Sequence, residues 1–194
     1  MLRKTHLIVS LAMFASACVA LPSHAKDIGL IAGSGWNTFD VDRNAVGTSV
    51  WADIANNSFE KLFFTFTVDT GFTASLTVLD GAFAGNTFAV FNGSRLLGNT
   101  SAVDVVDQAA ASFSSSYDSA LLDAAYSRGV FAFGAGTYRI NGELLQAGLD
   151  TGVPVFATEA ALSLTVSPVP EPSSFATLLA GLLMAAFVLR RKDR

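Results

Sequence analysis

The sequence predicts a mainly β protein: an antiparallel β-sandwich, with a jelly roll as its candidate topology, one short helix, an N-terminal signal peptide and a C-terminal transmembrane helix. Three observations predict it. Short apolar runs alternate with period two and are broken by Gly and Asn at fairly regular intervals, which is the spacing of an all-β domain. The body interleaves Phe with Thr, Val, Gly and Asn, and that mixture favours a pleated, half-buried surface over a helix. The two long apolar stretches lie near the ends of the chain, at 7–21 and 175–189.

At the N-terminal side, Arg3 and Lys4 precede the apolar run, and Ser23-His24-Ala25 places small residues at the −3 and −1 positions of a cleavage site. Residues 1–25 therefore read as a signal peptide cut between Ala25 and Lys26. Cys18, after Ala15-Ser16-Ala17, offers a rival lipoprotein reading, though the usual leucine is missing. Cleavage after Ala25 removes His6, His24 and Cys18, which are both histidines and the one cysteine of the chain. No Ser-His-Asp or Cys-His nucleophile and no His or Cys zinc ligand then remain. Disulfides are excluded too, so stability must come from packing.

Residues 26–168 form the body, a length suited to a single domain. Its basic residues are Lys26, Arg43, Lys61, Arg95, Arg128 and Arg139, against 14 carboxylates, for a net charge of −8. Such a surface repels nucleic acid, and no cofactor motif is present. Asp40-Val41-Asp42-Arg43-Asn44 has the opening spacing of a calcium loop, which makes Asp40, Asp42 and Asn44 a weak calcium candidate. Ala45 stands where glycine is needed and Trp51 where a glutamate is needed, so a solvated acidic turn is the preferred reading. Trp36, which follows Gly33-Ser34-Gly35, and Trp51 are the candidate carbohydrate contacts, weighed against a packing role.

Leu62, Phe64, Phe66 and Val68 form one face of a strand, and 74–79 alternates into an Asp80-Gly81 turn. Phe88–Phe91 and Ser94–Leu97 flank Asn92-Gly93, the pair best suited to a two-residue hairpin. Ser116 to Tyr126 reads as the one helix, capped by Asp118 or Ser119 and stopped by Gly129. Val130–Phe133, a Gly134-Ala135-Gly136 turn and Thr137–Ile140 give two more strands, the second ending at Asn141-Gly142. A last alternating run, 160–166, leads into Pro168. Carboxylate pairs such as Asp104 with Asp107 could serve glycoside hydrolysis only across a cleft, and dispersed acids read better as solvated surface.

Residues 169–194 complete the chain in three parts: Val169-Pro170-Glu171-Pro172, an apolar helix over 173–189, and a basic tail over 190–194 with Arg190, Arg191 and Lys192 as the stop. The prolines hold extended backbone and the basic end stays cytoplasmic. The 17-residue helix would span about 25 Å against a hydrocarbon core of about 30 Å, a marginal anchor. This order of parts resembles the C-terminal tag of the PEP-CTERM family of bacterial exported proteins. The body resembles the short β-rich domains that precede such tags, through Phe64–Val68, Gly136–Tyr138 and Leu162–Val166.

The resemblance implies a precursor anchored in the inner membrane of a Gram-negative bacterium, processed by signal peptidase and an exosortase-type membrane protease. The product would be delivered to the cell surface or extracellular matrix, with exopolysaccharide or matrix proteins of a biofilm as partners. The reading reached is a non-enzymatic exported protein. Its alternatives are a carbohydrate-binding module, a small carboxylate-dependent glycosidase and a calcium-dependent adhesin.

Overall fold

The computed structural model describes residues 25–54, 59–169 and 181–182. In chain order the elements are β1 (Ala25–Gly29), β2 (Asn37–Asp42), α1 (Arg43–Val46), β3 (Ala52–Asp53), β4 (Glu60–Val68), β5 (Phe72–Asp80), β6 (Ala82–Phe83) and β7 (Thr87–Asn92). They continue as β8 (Arg95–Asn99), β9 (Phe113–Ser114), α2 (Tyr117–Leu122), β10 (Arg128–Phe133), β11 (Gly136–Gln146), β12 (Leu149–Asp150), β13 (Val153–Pro154) and β14 (Ala157–Pro168).

The mainly β, antiparallel character expected from the alternation is present. Its hydrogen-bonded path, however, is one ten-stranded sheet in the order β10-β5-β14-β2-β3-β4-β11-β7-β8, with β1 beside β4, and not two separate sheets. β3 makes it continuous, pairing Ala52 with both Asp40 of β2 and Lys61 of β4. The sheet folds over on itself. Phe39 of β2 and Phe88 of β7 are separated by β3, β4 and β11 along the path, yet their ring centroids lie 5.5 Å apart. Phe66 of β4 and Phe133 of β10 approach to 5.2 Å in the same way. The path nearly closes, since Ser101 beyond β8 donates its N–H to Arg128 O at 2.8 Å. The result is nearly barrel-shaped, an arrangement that leaves little free strand edge.

Period two explains the interior. Leu62, Phe64, Phe66 and Val68 of β4 point inward, as do Ala74, Leu76 and Val78 of β5 and Leu162 and Leu164 of β14. Phe63, on the opposite face of β4, is covered by the Arg139 guanidinium 3.3 Å from its ring centroid. Asp27 of β1 holds that guanidinium with oxygens 2.7 and 3.1 Å from its nitrogens. β1 is the parallel exception, its Ala25–Gly29 running beside Lys61–Thr65.

Several local expectations change. The hairpin turn is Gly93-Ser94, one residue later than Asn92-Gly93, because Asn92 still pairs with Arg95. Only Gly93 of this loop has positive φ, at 61°, the pattern of a turn with glycine in its first central position. β11 does not end at Asn141-Gly142: both continue the ladder to β7. Gly142 is there for space, since a Cβ would meet Trp51 Cε2 at 2.3 Å and Ala89 O at 2.6 Å. β10 and β11 do not form a hairpin either, as β10 pairs with β5 and β11 with β4 and β7. The helix is six residues, shorter than Ser116 to Tyr126, and Ser116 occupies the N-cap position without a side-chain cap bond. Neither Asp118 nor Ser119 caps it. Tyr126 leaves the helical path because its ring is buried and its hydroxyl donates to Ala82 O and Ser112 O, each at 2.9 Å.

Candidate functional site

The densest polar construction lies where β5 leaves the sheet. Ala74, Leu76, Val78 and Asp80 share the inward face of β5, so period two carries Asp80 into the interior, where it is fully buried. Its Oδ1 accepts from Gly81 N–H and Asn86 Nδ2, each at 3.0 Å. Oδ2 accepts from Gly85 N–H at 3.2 Å and Asn86 N–H at 3.1 Å. Burial pushes the Asp80 carboxyl up to about 7, against the opposing pull of these donors. Asn86 extends the network, donating to Thr158 Oγ1 at 3.1 Å and accepting from Gly148 N–H at 3.1 Å. This cluster fixes the loop over 81–86.

Two cavities flank the small β6–β9 ladder above that loop. One, of about 240 Å³, is lined by Phe83, Asn86, Gln108, Thr158 and Glu159 among others. The second, of about 350 Å³, is lined by Phe113, Ser114, Ser115, Ser116, Tyr117 and Glu159 among others. Ala82 and Glu159 belong to both. Phe83 and Phe113 pack at 5.1 Å and tilt by 54°; Phe113 remains 64% exposed. The Tyr117 hydroxyl donates to Glu159 Oε1. Burial, then the Glu159 carboxylate, drives the Tyr117 phenol far above its ordinary range. Close approach is required beneath it, since a Cβ on Gly81 would lie 2.6 Å from Tyr117 Cε1. Exposed aromatic faces beside hydroxyls, amides and one carboxylate form a shallow groove able to stack on and hydrogen-bond a polyhydroxylated ligand.

The sequence-derived candidates separate. Trp36 is half-buried at the side of this groove, its Nε1 donating to Asp118 Oδ1 at 2.8 Å and its ring 5.7 Å from that of Tyr117. Trp51 is corrected as a carbohydrate contact: it is 0% exposed and stacks on Phe39 at 4.0 Å, so no ligand reaches it. The acidic-turn reading of 40–44 is also replaced, because Asp40 and Asp42 lie in β2 and Asn44 in α1. Asp40 Oδ2 accepts from Ile54 N–H at 3.2 Å and Asp42 Oδ1 from Asn44 N–H at 2.9 Å. Extended backbone spreads these oxygens along β2, where a calcium loop must curl them round one cation. No group of three or more His, Cys, Asp or Glu able to hold a metal occurs among the described residues.

Lys26, at the expected cleavage site, lies in β1 and pairs with Asp53. Val169 follows β14 directly and donates its N–H to Gly71 O at 2.8 Å. Pro170, Glu171, Pro172, Arg190, Arg191 and Lys192 lie outside the described residues, as do residues 1–24 and most of the expected helix over 173–189. No helix among the described residues is long and apolar enough to cross a membrane. The missed feature is the Asp80 network with its groove. Its one sequence signal was the parity of Asp80 with Leu76 and Val78, which a turn reading of Asp80-Gly81 overrode.

The chain matches no curated protein. Among solved structures it is similar to the pre-peptidase C-terminal domain of collagenase from Bacillus anthracis, at 13% identity and a TM-score of 0.37, over 75% of this chain and 98% of that one. A family model described as the PEP-CTERM protein-sorting motif matches residues 168–192. The Pro-Glu-Pro element, apolar run and basic end that follow β14 are thus a PEP-CTERM protein-sorting motif, and the chain carries the tag of an exported protein with a membrane-anchored precursor.

Proposed function

We propose that this chain is a non-enzymatic exported protein whose β body, residues 26–168, is delivered to the cell surface or extracellular matrix of a Gram-negative bacterium. Signal peptidase removes residues 1–25 and an exosortase-type protease processes the chain at its tag. The sorting motif at residues 168–192 carries this reading. The body, a flattened, sandwich-like barrel, then meets exopolysaccharide or matrix protein through the groove around Glu159. Binding is favoured over hydrolysis by the groove lining, in which Glu159 is the one carboxylate, whereas glycoside hydrolysis uses two.

Replacing Pro170, Glu171 and Pro172 together with alanine tests the sorting step. The apolar run still inserts, but the extended acidic recognition segment is gone. The altered chain accumulates uncleaved in the inner membrane while the parent loses residues beyond the motif and appears outside the cell. Equal mass loss and equal delivery of the two would leave a plain tail anchor. Retention of the exported parent, but not of a Phe113→Ala variant, on immobilised host exopolysaccharide tests the partner.

A further inference from the structure

β14 ends at Pro168, paired with Phe72 of β5, and Val169 is still bonded to Gly71. The apolar run of the tag begins at Phe175, six residues beyond Val169. Six residues span at most about 21 Å, and the headgroup layer on one side of a bilayer takes up about 6 Å of that. With a helix over 173–189 in the bilayer, the end of the barrel from which the tag emerges would be tethered within about 15 Å of the lipid surface as long as the tag is uncut.

The register defines which residues occupy that end. Val68 pairs with Gly136, Ala74 with both Phe133 and Val166, and Gly33 donates its N–H to Leu164 O. The connections there are 30–35, 69–71, 93–94 and 134–135, and they contain one charged side chain, Asp69. Ile31 is 73% exposed at this end and Phe72 is 41% exposed. The far end is different in kind. Asp104, Asp107, Asp118, Asp123 and Asp150 lie in its connections, and Asp40, Asp42, Asp53, Glu60, Asp80 and Glu159 close its strands. Eleven of the 14 body carboxylates thus sit away from the tag.

We propose that the loops 30–35, 69–72 and 134–136 are a lipid-facing surface that rests on the outer leaflet of the inner membrane in the precursor, with Ile31 and Phe72 entering the headgroup layer. The acidic end and its groove then point away from the membrane. Anionic lipid repels carboxylates and accepts uncharged loops with apolar tips, so charge and tether select the same orientation. The proposal rests on the reading of residues 173–189 as a membrane helix.

The test uses the full exported chain with its tag intact, made in a host lacking the processing protease; its one cysteine lies in the expected signal peptide. A fluorophore is placed at Ile31→Cys or Phe72→Cys, and at the exposed far-end positions Leu122→Cys or Val153→Cys. The protein is reconstituted in vesicles of phosphatidylethanolamine and phosphatidylglycerol containing a headgroup spin-labelled lipid. Quenching several-fold stronger at Ile31 and Phe72 than at Leu122 and Val153 is expected. Equal quenching at both ends, or none at either, in chains that co-sediment with the vesicles overturns the orientation and leaves the anchor intact. Chains that do not co-sediment overturn the anchor itself, and the lipid-facing surface with it.

Discussion

Replacing Gly142 with alanine places a methyl group where the structure has no room. Its Cβ would stand 2.3 and 2.4 Å from Trp51 Cε2 and Cζ2, and 2.6 Å from Ala89 O, where carbon atoms prefer about 3.5 to 4.0 Å. Neither neighbour can withdraw cheaply. Trp51 is stacked on Phe39 at 4.0 Å and edge-on to Phe64 at 6.2 Å, and Ala89 belongs to the β7–β11 ladder. Overpacking costs about 1 to 3 kcal/mol, and resistance from a ring and a backbone together puts this substitution at the top of that range. In a domain stabilised by about 5 to 15 kcal/mol, a loss of about 3 kcal/mol lowers a urea midpoint by roughly 1.5 M. Equilibrium urea unfolding followed by circular dichroism measures it. The same substitution in a Trp51→Phe background costs much less, because the six-membered part of the indole supplies both of the closest carbons. Trp51→Phe also removes an indole N–H that is buried without an acceptor among the described residues. A change within about 0.5 kcal/mol for Gly142→Ala, or an equal cost in both backgrounds, would refute the reasoning.

Three further outcomes follow from the same structure. Asp80 is raised from 3.8 to about 7, so the folded chain holds a proton that the unfolded chain releases. Its contribution is complete below about pH 3.8, falls as pH rises to about 7 and is level above, a change of about 4 kcal/mol; a urea midpoint no higher at pH 5 than at pH 8 would contradict this. N-terminal sequencing of the mature protein is expected to begin at Lys26, and an acylated Cys18 would make it a lipoprotein instead. Hydrolase activity abolished by a serine-directed phosphonate would sink the non-enzymatic reading, since without His6, His24 and Cys18 no histidine-assisted serine or cysteine nucleophile remains.

Legibility in the sequence followed the range of the interaction. The strands read at 62–68, 74–79 and 160–166 lie within β4, β5 and β14, because period two is set by each strand's own pleat. Helix α2 was found in place but too long, because the burial of Tyr126 against Ala82 and Ser112 overrides local helical spacing. Asn141-Gly142 looked like a strand end and is mid-strand. Glycine signals a turn and a close approach with the same letter, and Trp51, 91 positions earlier, decides between them. The groove was hidden for a similar reason: Phe83, Phe113 and Glu159 meet only through the β6–β9 ladder and the tip of β14.

The sequence by itself determined the sorting tag, the acidic balance and the β class. Each depends on order, composition or a repeat within a few residues, and a linear tag read by membrane and protease needs no tertiary context. Tertiary structure decided that the ladder is one folded-over sheet, that Trp51 is core while Trp36 edges a groove, and that Asp80 is a buried anchor. It also decided that carboxylates scattered along the chain gather at the end opposite the tag. These properties depend on which distant strands become neighbours and in what register, and pairing across the sheet supplies that information where the spacing of residues along the chain does not.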